Sequence, residues 1–285
     1  MLHDAWKLRI SDIIHCGTYE APRGRPTYEQ LDQCLAIEDS RFNLIDLPAR
    51  NLNMRLAVAE WLWMTFGHSD VESIAQYAKV MRQFSDDGMF LAGAYGPHLR
   101  AQWHQIVEKL RTDPSSRQAV IEIPRPRRET KDEPCTLSLQ FLSRNKHLHL
   151  IVTMRSSDTW TGLPYDVFNF TQLQNMMAGE LELRRGWFSL HAGSSHLYQD
   201  DFAAAEAMLV DPRGQTVQTP DLPGLPPAWL EDVLLKRHDA EILKITRRWD
   251  DQDLRWLPYA QVLLTSTRDA ARDLLITSFA HLCIA

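Results

Sequence analysis

The sequence predicts a mixed α/β domain. Three observations point there. Leu56 to Phe66 (LAVAEWLWMTF) is a strongly apolar run long enough for a buried helix. Between 135 and 142, Thr136, Ser138 and Gln140 alternate with Leu137, Leu139 and Phe141, the period of a half-buried strand. Helical and strand patterns interleave along 285 residues, a length that supports one large core.

In chain order, residues 27–39 read as a helix, and 56–66 as the buried one. Residues 70–84 give another. Residues 99–112 give an amphipathic helix ending at Asp113-Pro114, since proline restricts the residue before it. Strands follow at 117–123, 135–142 and 147–154, with the charged loop Pro124 to Asp132 (PRPRRETKD) between the first two. Residues 167–179 read as a helix, 184–192 as a strand and 199–209 as a helix. The stretch 211–227 is rich in proline and glycine and reads as a connection. Residues 228–248 and 260–283 read as helical. The expected organisation is one domain over 1–285, with a core at about 27–210 and a helical extension from 228.

Hydrophobic residues make up 44% and charged residues 24%, as in ordinary globular proteins. A net charge of −6 argues against a nucleic-acid or membrane-surface partner, while a small phosphorylated ligand needs only a few local cations. No apolar run reaches the ~18–20 residues of a membrane span. The first residues lack a signal-peptide pattern. Cys16, Cys34, Cys135 and Cys283 are scattered without a CxxC, which fits a reducing compartment. A cytoplasmic protein is expected.

Alone, a strand cysteine such as Cys135 reads as a small hydrophobe. A thiol attacks only as thiolate, and Arg155 is the cation the fold would have to bring to it. His147 and His149 alternate on one strand but lack a clear third ligand, so no metal is expected. Arg125, Arg127, Arg128 and Lys131 read as a solvated loop. No phosphate-binding Walker loop, dinucleotide fingerprint or serine elbow is present.

Taken together, several short motifs resemble the thymidylate synthase family, in the same order and spacing from about Leu56 to Leu209. They are the helix with Glu60, Tyr95-Gly96, Asp113-Pro114-Ser115-Ser116-Arg117, Pro134-Cys135 with Gln140-Phe141, Arg155-Ser156 with Asp158, Gly162-Leu163-Pro164, and His196 with Tyr198. The resemblance implies a mixed sheet packed by helices that also forms the interface of a homodimer with shared active sites. It implies Cys135 as nucleophile, Glu60 as organiser of a water network, and Tyr95 in proton relay. Arg117, reaching a neighbouring subunit, and Arg155 with Ser156 would hold the nucleotide phosphate. His196 and Tyr198 would hold the sugar 3′-hydroxyl, and Asp158, Gly162 and Tyr165 would meet folate. This chain departs at Thr136, where the family usually has histidine, and at Gln118, where it has a second arginine. The family's Arg-Thr-Gly loop is not visible, and Arg23 or Arg25 is its expected replacement. The folate-closing tail is not visible either, and Met81 and Phe84 stand where the synthases place two tryptophans.

Asp166 stands where synthases that take dUMP carry asparagine, and where the similar cytidylate hydroxymethylases carry aspartate. An asparagine amide answers uracil, accepting from N3–H and donating to O4. Cytosine reverses that edge. A carboxyl group accepts from N4–H₂, and a proton on either the acid or N3 completes the second bond. The competing reading is that Asp166 caps a helix starting near 167.

The resemblance therefore implies 5-hydroxymethylation of CMP or dCMP, with 5,10-methylenetetrahydrofolate as cosubstrate and no metal. Cys135 would add at C6, the resulting enamine would take up the one-carbon unit, and water would add to the exocyclic methylene. The alternatives are a thymidylate synthase, a dUMP hydroxymethylase, or a non-catalytic nucleotide-binding homologue.

Overall fold

A computed structural model describes residues 1–236 and 255–283. Its centre is a mixed sheet of six strands, ordered β1-β2-β7-β6-β5-β4. They span Thr18–Glu20 (β1), Thr27–Ile37 (β2), Val120–Glu122 (β4), Thr136–Arg144 (β5), His147–Asp158 (β6) and Arg184–Tyr198 (β7). β6 and β7 run parallel, and the other neighbours are antiparallel. A second, two-stranded sheet pairs Phe42–Asp46 (β3) with Gln215–Gln218 (β8), so the proline-rich connection carries a strand.

Alternation sets the two faces of the large sheet. Leu148, Leu150, Val152 and Met154 of β6 are buried with Leu139 and Phe141 of β5 and Phe188 and Leu190 of β7. Their neighbours His147, His149, Ile151 and Thr153 are half-buried, and Trp187 and His191 are exposed. α5, Leu163–Glu180, packs on β6 and β7. It is buried almost all round, because α2, Met54–Thr65, lies behind it. α4, Gly96–Thr112, also packs on α2.

Two expectations are corrected. Residues 27–39 are strand β2, not a helix, paired with β7 from Thr27↔Tyr198 to Ile37↔Phe188. Asp32, whose φ is 52°, lies between Leu31 and Gln33, which pair with Ser194 and Ala192 in one continuous register. Long-range pairing decides here over local pattern. Residues 70–84 are not one helix but a short α3, Val71–Ala75, followed by a 3₁₀ turn at Lys79–Phe84.

Other elements are longer than expected or additional. α5 begins at Leu163 rather than 167. β6 and β7 extend to Asp158 and Tyr198. At the N-terminus α1, Leu2–Cys16, buries Leu2, Trp6, Ile10 and Ile13. Trp6 stacks on Trp160 and donates from Nε1 to the Thr159 carbonyl at 2.7 Å. α6 spans Phe202–Leu209.

Beyond the connection come α7 (Ala228–Leu234), α8 (Leu257–Leu264) and α9 (Arg268–Leu282). The expected helix 228–248 is seen as α7, and residues 237–248 lie outside the described part. These C-terminal helices pack against α2: Trp61 stacks on Trp256 at 5.9 Å, and Tyr259 meets both Trp61 and Phe279. They support the back of the helix that carries Glu60. No described helix is long and apolar enough to cross a membrane.

Candidate active site

Two adjoining cavities open beside the end of the sheet where β5 begins and β6 and β7 end, and Glu133 borders both. The inner one is about 150 Å³, lined by Glu60, Tyr95, Cys135, Asp166 and Asn169, with Met81 and Asp132 also on its wall. The outer one is wider, about 1180 Å³, and is lined by Arg23, Arg155, Ser156, His196 and Tyr198 among others.

Each group arrives on a rigid element. Cys135 immediately precedes β5, and its carbonyl accepts from the Arg155 N–H at 2.8 Å. The Arg155 guanidinium donates to the carbonyls of Pro134 and Glu133 at 3.0 and 2.9 Å, so it fixes the backbone that presents the thiol. Burial pushes the thiol pKa up; Arg155 pulls it down, and Asp166 and Asp132 add to the rise. The result is a thiol held neutral in the free protein.

Tyr95 caps the start of α4, stacks on Phe170 and accepts the Thr136 N–H on its hydroxyl at 3.2 Å. Desolvation raises its pKa strongly, with the nearby Cys135 and Asp166 charges adding to the rise. It remains a neutral phenol, able to donate or accept.

Glu60 lies on α2 with its Oε2 accepting from Asn169 Nδ2 at 2.7 Å. Burial raises its pKa, and the Asn169 donor opposes the rise. Asp166 is not a cap. The N-cap of α5 is Gly162, and Asp166 sits inside the first turn, donating its N–H to the Gly162 carbonyl. No hydrogen bond holds its carboxyl group among the described residues. Desolvation lifts its pKa well above the ordinary range, and the charges of Glu60 and Asp158 lift it further. A carboxyl group whose charged form is this strongly disfavoured inside a cavity is the kind of perturbed group found at functional sites.

In the outer cavity, Ser156 Oγ lies 3.4 Å from His196 Nδ1, and the His196 and Tyr198 rings meet edge-on at 5.2 Å. Arg25 stacks over Tyr198 at 3.8 Å, while Arg23 reaches the cavity wall from a tight turn with φ 52°. Of the two arginines offered as a phosphate ligand, Arg23 lines the cavity and Arg25 does not.

Four of the expected site residues stand apart from both cavities. Arg117 is exposed on the loop after α4. Asp158 Oδ1 accepts the N–H groups of Trp160 and Thr161 at 3.0 and 2.8 Å, which shapes the turn into α5. Gly162 begins that helix, and the Tyr165 hydroxyl accepts the Asn53 N–H at 2.9 Å. Asn169 and Asp132 were not singled out from the sequence. Asn169 is three residues after Asp166 on α5, so the helical period puts both on one face.

Comparisons with known proteins bear on this arrangement. The family model described as thymidylate synthase matches residues 5–223. A deoxyuridylate hydroxymethyltransferase of Bacillus phage SP01 is 34% identical over 216 residues, covering 68% of this chain and 56% of the relative. A deoxyuridylate hydroxymethyltransferase of Pseudomonas phage M6 is 28% identical over 162 residues, covering 53% of this chain and 46% of the relative. The chain thus spans about half the length of the relatives it matches.

Proposed function

The chain belongs to the thymidylate synthase family, and we propose that it places a hydroxymethyl group on C5 of a cytidine monophosphate. The observation that carries this reading is the convergence of Cys135, Glu60, Tyr95 and Asp166 on one small cavity beside a cation-bearing one.

Pyrimidine C5 is a weak nucleophile. Addition of Cys135 Sγ to C6 makes C5 part of an enamine. 5,10-Methylenetetrahydrofolate, when bound, supplies the one-carbon unit, and after loss of tetrahydrofolate and the C5 proton the nucleotide carries an exocyclic methylene. Asp158 fits a folate in this scheme: Oδ1 is committed to the α5 turn, while Oδ2 accepts no hydrogen bond among the described residues and suits an N–H donor. Arg23, Arg155 and Ser156 serve the phosphate, and His196 with Tyr198 the sugar. Glu60 and Tyr95 accept and return protons. Thiol activation then accompanies substrate binding, because the free thiol is held neutral by burial.

Asp166 supports cytosine. As a neutral acid it donates to N3 and accepts from N4–H₂. Ionised, it still pairs with an N3-protonated base through a charge-assisted bond. The second reading, a dUMP hydroxymethylase, is favoured by the names of the two phage relatives. It has a physical basis as well, since a neutral carboxylic acid turned over donates to uracil O4 and accepts from N3–H. The ionised acid sets an oxygen against uracil O4 and equally against the N3 lone pair of an unprotonated cytosine. The charge-assisted pair with an N3-protonated base is open to cytosine alone.

Hydroxymethyl rather than methyl transfer is expected, because Met81 stands on the cavity wall where the synthases place tryptophan. The test is turnover with methylenetetrahydrofolate, followed by mass analysis of the nucleotide and absorbance of the folate. The expected product gains a hydroxymethyl group and tetrahydrofolate is released. Dihydrofolate formed in step with a 5-methyl product would return the protein to synthase chemistry.

Arg117 is exposed and outside its own chain's cavities, which suits a residue that completes the site of a second copy. The half-buried face of β6, with Ile151 and Thr153, is the surface for that copy. Inactive Arg117→Ala and Cys135→Ser subunits, mixed under conditions that exchange chains, are expected to regain up to about a quarter of wild-type activity, since half of randomly formed dimers are hybrids with one intact site of two. Exchange without any recovery would contradict a shared site.

A further inference from the structure

Asn169 has a place in the site that the known roles do not cover. It is 3% exposed, lies one turn beyond Asp166 on α5, and lines the inner cavity with Glu60 and Cys135. Its Nδ2 is committed to Glu60 Oε2 at 2.7 Å. Its Oδ1 is buried and has no hydrogen-bond partner among the described residues. A buried amide oxygen left unpaired costs ~1–3 kcal/mol, so a site that keeps one is built to pair it with something. What fits beside a carboxylate acceptor and an amide oxygen is a small donor of two hydrogens, which is the chemistry of water.

Resting on the hydroxymethylase reading above, we propose that Asn169 is a positioning residue for the attacking water, holding it between its own Oδ1 and the Glu60 carboxylate. One water hydrogen points to Asn169 Oδ1 and the other to Glu60, which turns an oxygen lone pair towards the exocyclic methylene. The Asn169 donor opposes the effect of burial on Glu60, which takes the proton in this step. In the step itself the water oxygen bonds to the methylene carbon. The methylene π pair moves through C5 onto the C4 substituent, and the water proton goes to Glu60. Return of that pair re-forms the C5–C6 double bond and expels Cys135 as thiolate. No oxidant or reductant is consumed.

This assigns Asn169 to a late step, after C5 has lost its proton, and so predicts a split between two readouts. With C5-tritiated nucleotide and methylenetetrahydrofolate, the wild-type protein is expected to release tritium in step with hydroxymethyl product. In a single turnover with enzyme in excess, Asn169→Ala is expected to keep nucleotide binding and the rate of tritium release within about threefold, while the rate of product formation falls by about 10–100-fold. Added 2-mercaptoethanol is then expected to trap the exposed methylene as a thioether. Asn169→Ser, which withdraws the amide but leaves a small polar side chain, is expected to show the same split and carries the test should the alanine variant fail to bind nucleotide. Tritium release and product falling by one common factor, or neither changing, would overturn the assignment while leaving the hydroxymethylase reading intact. Failure of the wild-type protein itself to form hydroxymethyl product would instead remove that reading.

Discussion

Cys135→Ser is expected to bind nucleotide and to lose turnover by roughly 10³-fold or more, because a serine hydroxyl has no comparable path to its anion in this cavity. Its surroundings make the loss steep. The cavity already holds the natural thiol neutral by burial, with Asp166 and Asp132 nearby and only Arg155 in opposition. A hydroxyl, far less acidic than a thiol, is left unionised there. The same surroundings predict slow alkylation of Cys135 by iodoacetamide at pH 7, rising at a pH above that of an ordinary exposed thiol. Nucleotide affinity, read by titration calorimetry, separates loss of chemistry from loss of fold. Substantial product from the serine variant would end the nucleophile assignment.

Asp166→Asn is expected to shift the ratio of kcat/KM for cytosine over uracil nucleotides by about 10–100-fold towards uracil. That is the factor for one mismatched buried hydrogen bond of ~1–3 kcal/mol. The amide accepts from uracil N3–H and donates to O4, and, being uncharged, it loses the charge-assisted pair with an N3-protonated cytosine that the carboxyl group can form. The substitution also bears on stability. Asp166 has a raised pKa in the fold, so its favourable contribution is present below the unfolded pKa of aspartate and is lost as pH rises through the folded value. Asp166→Asn is therefore expected to raise Tm by a few degrees at pH 8 relative to wild type and to change it little at pH 4, a difference that calorimetry at the two values checks. An unmoved base ratio would leave Asp166 as part of the scaffold.

How much of this was legible in the chain depends on how local each signal is. α2 and α4 are written in apolar periodicity, and β5 in strict alternation, because each buries one face against neighbours whatever they are. β2 is not written locally. Only pairing with β7 makes it a strand. α1 carries a readable stripe of Leu2, Trp6, Ile10 and Ile13, yet polar residues between them hide it. The site shows the same division. Cys135, Glu60, Tyr95 and Asp166 are found through their motifs, and the fold brings them to one cavity. The cap reading of Asp166 fails because α5 starts at Leu163, set by Gly162 and Pro164 rather than by the aspartate. Asn169 gains meaning only through Glu60, 109 residues away on another helix, and no local pattern announces that contact.

The central claim is that one carboxyl group selects a cytosine base for hydroxymethylation. The most direct test is competition: equal CMP, dCMP, UMP and dUMP with methylenetetrahydrofolate, each 5-substituted product counted by mass. Hydroxymethyl product is expected mainly from a cytidine nucleotide. Hydroxymethyl product mainly from a uridine nucleotide, as the names of the phage relatives imply for those proteins, would contradict the claim.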